Sequence, residues 1–417
     1  MNTNQSASRE KTRLHPNIWV LTVVSFLTDI SSEMLFNLLP LFLANVLGVR
    51  TAAIGLIDGM AESTASLVKI YSGALSDRLG KRKTLAVVGY GFSTLVKPLL
   101  YFATSWGWVL GVRFSDRIGK GIRNAPRDAL LAGSVGKEQR GFAFGLHRAG
   151  DTAGAFTGLG IAALIIWATQ GDRSQLSRGT FQIVVLASVI PALLAVIILL
   201  VAAKEVGESQ PHATPMPTLM AGWRQMDQRF KAFLAVIVLF TMGNSSDAFI
   251  ILRGQERGLN VMQIMGMILT FNAMYSLLSW PIGALSDRVE RQGIIIIGWL
   301  LYSLVYLGLA VAKSGAQVWM LYAAYGIYYA LTEGVAKALV ADFIPQAQRG
   351  TAYGLYNAAV GLAMLPASLI AGILWQGIGG WKGFGPSAPF LVGAAMALLS
   401  SVLLLAWVRS SQGNPAA

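Results

Sequence analysis

Two carboxylates and an amide recur one helical turn apart in the first apolar stretch of the sequence, and such carboxylates can bind and release protons. Asp29, Glu33 and Asn37 follow one another at intervals of four residues, which places them on one face of a helix. Asp29 and Glu33 repel each other when both are ionised in a medium of low dielectric constant, so one of them can retain a proton. We therefore predict that both residues couple proton movement to the protein's function.

For other charged residues in apolar stretches, a structural role is an alternative to a functional role. His147 is a candidate for proton coupling because an imidazole titrates near neutral pH, but it could simply be hydrogen-bonded. Arg148 and Asp151 are spaced to pair and could only hold their helix in place. Asp58 could lie among lipid headgroups, and the long stem of Lys97 could reach an interface.

A stripe of basic residues follows one face of another segment, and guanidinium groups in such a stripe can bind an anion. Arg113 and Arg117 are one helical turn apart and could hold a carboxylate or a phosphate in a fork. The alternative is that carboxylates on the same and neighbouring helices neutralise them. We favour neutralisation for Arg117 and substrate contact for Arg113. The residues predicted to line a substrate cavity are Asn37, Glu62, Arg113, Asp116, Arg117, Arg148, Asp151, Glu333 and Lys337.

The composition of the chain is that of an integral membrane protein. Of its 417 residues, 54% are hydrophobic and 13% are charged, whereas about 25% of the residues in a soluble protein are charged. Apolar runs such as 183–203 are long enough to cross a hydrocarbon core of roughly 30 Å. A charged side chain in such a span costs roughly 2.5–3.5 kcal/mol, so each one is a functional candidate.

Several classes of function are disfavoured by what the sequence lacks. It has no cysteine, which excludes disulfides and thiolate metal sites, and its three histidines are too scattered for a metal cluster. We expect no cofactor. No phosphate-binding loop of a nucleotide hydrolase is present, and no set of residues indicates an enzyme or a sensor. The net charge of +13 fits basic cytoplasmic loops better than nucleic-acid binding.

Hydrophobic segments alternate with short polar ones, which predicts an all-α membrane protein with about twelve transmembrane helices. The stretch 204–229 lacks a spanning run and is predicted to be a cytoplasmic linker. It separates an N-terminal six-helix bundle, 1–203, from a C-terminal six-helix bundle, 230–417. The helices are predicted near 18–47, 52–76, 84–104, 107–131, 139–169, 180–203, 230–253, 261–286, 292–312, 316–342, 349–376 and 386–408.

Lysine and arginine are concentrated in the loops on one side of these helices, which predicts that this side faces the cytoplasm. That side includes both termini, the loop around Arg78 and the linker. We therefore expect a multi-pass protein of the inner (plasma) membrane, surrounded by the lipid bilayer, with both termini in the cytoplasm. We also expect it to be a monomer.

The two sets of helices are related by an internal repeat. GALSDR occurs at 73–78 and again at 283–288, and the SSE that contains Glu33 is matched by the SSD that contains Asp247. The offset stays near 210 residues, whereas chance matches would not keep register. A parallel repeat predicts two pseudo-symmetric halves with a substrate site between them, near the bilayer midplane. Because Asp247 corresponds to Glu33, it is another candidate for proton coupling.

The loop after the second predicted helix, GALSDRLGKRK at 73–83, resembles the signature loop of the major facilitator superfamily. Gly73 allows two helices to approach closely, and Gly80 permits a tight turn. Asp77 can accept hydrogen bonds from the N-terminus of a neighbouring helix.

The resemblance implies that this loop belongs to a gate that latches the cytoplasmic side when the transporter faces outward. Asp128 is the expected partner of Arg78. The second copy of the motif continues as VERQG and so lacks the glycine and the basic pair. The predicted gate residues are Gly73, Asp77, Arg78, Gly80, Lys81, Arg82, Asp128, Asp287 and Arg288.

Two further segments resemble patterns of the same superfamily. Residues 110–121 resemble its helix-4 pattern, whose arginine falls on Arg113, and DRIGKGIRNAPRDALLA resembles a bacterial subgroup of presumed efflux permeases. Glycines of the fifth predicted helix partly match the glycine-rich motif of exporters, although tight helix packing is the alternative explanation. These glycines are Gly150, Gly154 and Gly158.

The resemblance implies alternating access, in which two halves rock about a central site without ATP hydrolysis. The leading prediction is proton-coupled export of a small charged or amphiphilic molecule. The same fold could instead take up a small organic anion or zwitterion by proton symport, because the exporter motif is incomplete. Export of an inorganic cation is a further alternative, which the scarcity of histidine and cysteine weakens.

Overall fold

The computed structural model describes residues 15–135, 140–206, 223, 224, 226–344 and 349–413, and their side chains except at positions 74, 77, 140, 141, 341, 349–351 and 409–413. These residues form twelve helices, which confirms the predicted all-α fold. The helices are α1 (Pro16–Val46), α2 (Thr51–Leu79), α3 (Arg82–Phe102), α4 (Trp106–Gly133), α5 (Arg140–Thr169), α6 (Arg178–Ala202), α7 (Gln228–Glu256), α8 (Val261–Ser286), α9 (Arg291–Val311), α10 (Gly315–Phe343), α11 (Arg349–Gln376) and α12 (Ala388–Gly413).

The helices pack as two bundles of six. In the first half, α1 packs against α5 and α6, while α4 packs against α2 and α3. In the second half, α10 packs against α8 and α9, and α12 packs against α7 and α9. The glycines of α5 serve this packing, because a Cβ at Gly154 would lie 2.5 Å from the carbonyl oxygen of Phe26 on α1.

Hydropathy separates the twelve helices into two groups. Among the described residues, nine are long and apolar enough to cross a membrane. The other three are α2, α4 and α10, and all three carry charged residues well inside the helix, such as Glu62, Arg113 and Glu333. The charges that lower the hydropathy of these helices are therefore the same charges that the sequence marks as functional.

The sequence predicts a continuous seventh helix, but the structure shows an interrupted one. It is helical over Gln228–Gly243 and over Ala248–Glu256, with a break between them. The Tyr302 hydroxyl donates to the carbonyl at the end of the first segment (3.0 Å), and the Ser246 hydroxyl accepts from the first N–H of the second (3.1 Å). Because an unsatisfied backbone group inside a membrane costs several kcal/mol, these two side chains stabilise the break.

The two halves meet along a seam between α2 and α11. A Cβ at Gly59 would lie 2.8 Å from Leu365 Cα, so only glycine allows this approach. At one end of the seam, the Thr51 N–H donates to Gln376 Oε1 at 2.8 Å. The GALSDR loops lie at the opposite end of the helices.

Further contacts between the halves lie at the Thr51 end. There the Val261 N–H, at the start of α8, donates to the carbonyl of Arg173 at 2.9 Å. Near the other end, a Cβ at Gly145, Gly283 or Gly354 would meet no atom within 4 Å. Along α2 and α11 the described contacts run from Thr51 to the hydrogen bond that the Ser63 hydroxyl donates to the Gly361 carbonyl. Nearer the GALSDR end, the Arg148 guanidinium donates to the Tyr275 hydroxyl of the other half.

Candidate functional site

A cavity of about 520 Å³ lies between the two halves, next to the break in α7. Helices α1, α2, α4 and α5 form one wall, and α7, α10 and α11 form the other. Its lining contains six carboxylates and five basic side chains. These are Asp29, Glu33, Asp58, Glu62, Asp116 and Asp247, with Arg113, Arg117, Lys120, Arg123 and Arg148.

Most of the residues predicted to line a cavity do so. Those in the lining are Asn37, Glu62, Arg113, Asp116, Arg117 and Arg148, together with the proton-coupling candidates Asp29, Glu33 and Asp247. Those outside the lining formed by the described residues are His147, Asp151, Glu333 and Lys337.

Arg113 is the cation whose surroundings best suit an incoming anion. Its guanidinium carbon lies 3.9 Å from the centroid of the Phe36 ring, and the residue is 7% exposed. One terminal nitrogen forms a long ion pair with Asp58 Oδ1 at 3.9 Å. Within the described structure, Nε and the other terminal nitrogen have no hydrogen-bond partner. A buried donor without an acceptor is costly, so Arg113 presents unused donors to a ligand.

Asp58 connects the two halves beside Arg113. Its Oδ2 accepts a hydrogen bond from the Ser246 hydroxyl, at the break in α7, at 2.9 Å. The expectation that Asp58 lies among headgroups is therefore wrong. Because α2 begins at Thr51, Asp58 lies about two turns inside the helix, where its side chain faces the cavity.

Arg117 pairs within the protein, which agrees with the neutralisation that we favoured. One of its terminal nitrogens lies 3.3 Å from Glu62 Oε1. Arg123, further along the same stripe, lies over the Tyr90 ring at 4.4 Å. Asp116, on the same helix, is buried at the cavity wall. Within the basic stripe of α4, Arg117 thus has a carboxylate partner and Arg123 an aromatic one.

The two carboxylates of α1 have different surroundings. Glu33 Oε2 accepts a hydrogen bond from Asn37 Nδ2 at 2.7 Å, just where the regular part of α1 ends. Asp29 forms neither a hydrogen bond nor an ion pair within 4.0 Å with any residue that the structure describes. Asp29 is therefore the carboxylate of α1 that is least committed to a partner.

Asp247 is the one charged residue that the described part of the second half contributes to the lining. Its Oδ1 accepts a hydrogen bond from the Tyr325 hydroxyl at 3.0 Å. Behind it lies a tyrosine cluster, whose ring centroids are between 4.0 and 6.0 Å apart. Its members are Tyr302, Tyr306, Tyr322, Tyr325, Tyr328 and Tyr329.

A polar network beside the cavity links α5 to α8 and α10. Arg148 donates to the Tyr275 hydroxyl at 2.8 Å, and that hydroxyl donates to Glu333 at 2.5 Å. Lys337 pairs with Glu333 at 3.1 Å. The pair expected between Arg148 and Asp151 does not form, because the guanidinium of Arg148 extends across to the other half.

His147 and Asp151 face each other on α5, one turn apart. His147 Nδ1 lies 3.5 Å from Asp151 Oδ2, and the histidine is buried. Within the described residues, the second ring nitrogen and the second carboxylate oxygen have no hydrogen-bond partner. The proton-coupling role of His147 stays a prediction.

Lys97 is a buried cation that sequence reasoning placed wrongly. It is 1% exposed, and its Nζ donates to the hydroxyls of Ser31 at 2.9 Å and Ser32 at 3.0 Å. Its side chain extends inward to α1, so it does not reach a lipid interface. The serine pair that precedes Glu33 was the available signal, since adjacent hydroxyls can satisfy a buried ammonium.

The predicted gate is described only in part, because the side chain of Asp77 lies outside the described residues. Gly80 ends α2 with φ of 61°, a left-handed conformation that favours glycine. The backbone N–H groups of Arg82 and Lys83, at the start of α3, donate to the Glu205 carboxylate at 3.0–3.2 Å. A linker carboxylate therefore caps the N-terminus of α3, and the role predicted for Asp77 stays a prediction.

The pairing predicted between Arg78 and Asp128 stays a prediction. Asp128 pairs with its neighbour Arg127 at 2.8 Å. In the second copy, Arg291 pairs with Asp287 at 2.9 Å and with Asp342 at 2.6 Å. The other gate residues lie at this end of the helices. A Cβ at Gly73 would lie 3.5 Å from the Cβ of Ala125 on α4, an ordinary van der Waals distance, so the approach of the helices here does not require the predicted glycine. The side chains of Arg78, Lys81 and Arg288 are exposed. Among the described residues, no group of three or more His, Cys, Asp or Glu could hold a metal ion.

Two six-helix halves around a central charged cavity define a membrane transporter. The sequence profile of the Major Facilitator Superfamily matches residues 21–332 and 232–417. The chain therefore belongs to the Major Facilitator Superfamily.

Individual relatives and solved structures agree with this assignment. An uncharacterised MFS-type transporter of Methanocaldococcus jannaschii is 36% identical over 407 residues, which cover 96% of this chain and 97% of the relative. A multi-drug resistance efflux pump of Streptococcus pneumoniae is 26% identical over 344 residues, covering 79% of this chain and 82% of the pump. The crystal structure of the nucleoside transporter NupG has a TM-score of 0.77 at 13% identity, covering 94% of this chain and 99% of NupG. At that identity the likeness concerns the fold.

Proposed function

We propose that this transporter exports a small charged or amphiphilic molecule and couples the export to protons that move inward. The observation that carries the proposal is the cavity between the halves, with its six carboxylates and five basic groups. Charges inside a membrane are costly, and an uncharged cargo would not require them. The similarity to an efflux pump over 79% of this chain supports export. The substrate leaves unchanged, so no enzymatic step is proposed.

Asp29 is the proposed central proton site. It has no hydrogen bond in the described structure. The charges that act on it most strongly are the carboxylates of Asp151 and Glu33 and the cations of Lys120 and Arg123. When one half moves against the other, these neighbours change, and with them the preference of the carboxylate for a proton. Proton binding then shifts the balance between the two conformations. The accompanying proton sites are Glu33, Asp247 and His147.

We propose that the described conformation is open toward the cytoplasm. The halves, 1–203 and 230–417, are joined at the Thr51 end of the seam. The loops rich in lysine and arginine lie at the other end, together with the linker, and this supports a cytoplasmic location for them and for both termini. The protein would then work as a monomer in the plasma membrane, and the gate around Arg78 would close in the outward-facing state.

Proton-coupled uptake of a small organic anion or zwitterion is a second candidate, because the unused donors of Arg113 suit an anion whichever way it moves. Export of an inorganic cation is a third candidate, supported by the six carboxylates but opposed by the five basic groups among them.

Transport in oriented membrane vesicles tests the proposal. A panel of labelled small molecules is offered to inside-out and right-side-out vesicles, with and without a proton gradient. We expect accumulation in inside-out vesicles with an acidic lumen, and its loss when a protonophore collapses the gradient. Accumulation only in right-side-out vesicles would favour uptake, and transport that ignores the gradient would contradict proton coupling.

A further inference from the structure

We infer that the transported molecule is an amino-acid-like zwitterion, which places its anionic group at Arg113 and its cationic group at Asp247. The inference rests on the proposed function of the cavity and adds the charge pattern of its substrate.

Arg113 provides the anionic subsite. The residue is 93% buried, its guanidinium is held against the Phe36 ring, and two of its nitrogens lack hydrogen-bond partners among the described residues. The ion pair with Asp58, at 3.9 Å, is too long for a hydrogen bond. A carboxylate of the ligand can therefore bind Arg113 in a fork, which the protein itself leaves unfilled.

Asp247 provides the cationic subsite. It is the one charge on the described wall of the second half, and no basic side chain of that wall faces it. The Tyr325 hydroxyl donates to it at 3.0 Å but does not cancel its charge. Tyr329 lines the cavity beside it, and an ammonium group is attracted to the face of such a ring.

The two subsites are close enough for a small molecule to reach both. Asp58 spans the distance between them, because one of its oxygens faces Arg113 and the other accepts from Ser246, the neighbour of Asp247 in the chain. A molecule whose two charges are separated by a few bonds matches this spacing. Because Arg113 and Asp247 belong to opposite halves, such a molecule also connects the halves.

The charges of the lining fit simpler ligands less well. With five basic groups and six carboxylates, one of which can hold a proton, the lining is close to neutral, and a plain anion would leave the charge of Asp247 without a partner. A plain cation would leave the donors of Arg113 unused. A zwitterion satisfies Arg113 and Asp247 together, and its apolar body can contact Phe36, Ile251 and Met364, which also line the cavity.

Three probes with one carbon skeleton test the inference. L-leucine is the zwitterion, N-acetyl-L-leucine the anion and L-leucine methyl ester the cation, and each is titrated calorimetrically into the purified full-length protein. We expect the unmodified protein to bind leucine at least about 10-fold more tightly than either derivative, since losing one buried charge partner costs more than 1.4 kcal/mol. Equal binding of leucine and a derivative, or no binding of leucine, would overturn the inference.

Two variants locate the charges. Arg113→Gln should weaken leucine binding by about 30-fold or more and leave the methyl ester unaffected, whereas Asp247→Asn should weaken leucine equally and leave N-acetyl-leucine unaffected. Arg113→Lys and Asp247→Glu keep the charges, so these variants should retain part of the affinity for leucine. A folded variant with no measurable affinity for leucine would contradict the assignment. The matched controls are Lys313→Gln and Asp172→Asn, which are exposed and outside the lining. If the binding data show this charge pattern but a proton gradient does not drive transport, the proposed proton coupling fails and the inference about the substrate stands.

Discussion

The two walls of the cavity hold charge in the membrane in different ways. The wall from the first half carries ten of the eleven charged groups, and its ion pairs within 4.0 Å among the described residues are Arg117 with Glu62 and Arg113 with Asp58. The wall from the second half carries one, Asp247, which is backed by packed tyrosines and bonded to Tyr325. The repeat in sequence therefore produced two halves of the same fold with different chemistry.

This difference indicates which half changes its protonation during transport. Opposite charges in pairs can exchange partners when helices move, and each exchange alters the proton affinity of a carboxylate. Stacked tyrosines give a stiff wall with hydroxyl donors fixed in place. We therefore expect the first half to carry most of the coupling chemistry and the second half, apart from Asp247, to act as a rigid surface for the substrate.

The largest effect should come from the carboxylates of α1. Asp29→Asn or Glu33→Gln should abolish transport driven by a pH gradient, because neither amide can take up a proton in the working range. Exchange of substrate without a gradient should persist, since the cavity remains. Vesicle assays of both activities check this, and full gradient-driven transport by both variants would refute the role of the first half.

The boundary between the walls should give the next effect. Asp58→Asn keeps a polar partner for Ser246 but removes the charge that faces Arg113, so we expect transport to fall by about 10-fold. Ser246→Ala removes the hydrogen bond to Asp58, which is worth about 0.5–1.5 kcal/mol, so transport should fall by only about 2- to 10-fold. It also removes the acceptor of the Ala248 N–H, which should lower the stability of the break rather than the rate per inserted molecule. Initial rates in vesicles, normalised to the protein inserted, compare the two. A stronger effect from Ser246→Ala would reverse the assigned order.

The rigid wall should respond more weakly. Tyr325→Phe removes the hydroxyl that donates to Asp247, which we expect to lower stability by about 1 kcal/mol. Tyr322→Phe is the matched control, because its ring is in the same cluster and its hydroxyl has no hydrogen bond among the described residues. Thermal unfolding of the purified variants measures both. Equal melting temperatures for the two would show that the hydroxyl of Tyr325 does not stabilise this wall.

The smallest effect should appear where the halves differ outside the cavity. The start of α3 is capped by Glu205, whereas the start of α9 carries the ion pairs of Arg291. Glu205→Gln should cost about 0.3–1 kcal/mol, because a charged acceptor at a helix N-terminus becomes neutral. The loss should shrink in high salt. A melting temperature that does not depend on salt would argue against an electrostatic cap.

The fold and eight of the eleven charged groups in the cavity lining could be predicted from sequence, since hydropathy, the repeat and the spacing of charges along a helix are local patterns. Partners could not be predicted, because they depend on how helices pack. A pair with Asp151 along its own helix was one alternative for Arg148, yet its guanidinium extends to Tyr275 in the other half. An interface was one alternative for Lys97, yet its ammonium donates to Ser31 of α1.

The break in α7 did have a local signal. Residues 243–247 read Gly-Asn-Ser-Ser-Asp, a cluster typical of turns and helix caps, but the apolar residues on both sides favoured one continuous helix. Tyr302, which satisfies a carbonyl at the break, lies 59 positions from it in the chain. A side chain that distant becomes visible only when the helices are assembled.

The polarity of α2, α4 and α10 has a consequence for how the protein is made. These are the described helices that fail the hydropathy criterion for spanning a membrane, and α4 carries charged residues from Arg113 to Asp128. Each charge opposes partitioning of an isolated helix into lipid, so α4 cannot enter the bilayer stably by itself. Its insertion must await neighbours that supply counter-charges, such as Glu62 of α2. Biogenesis of this protein therefore requires that early helices remain together near the insertion machinery until their polar faces are joined.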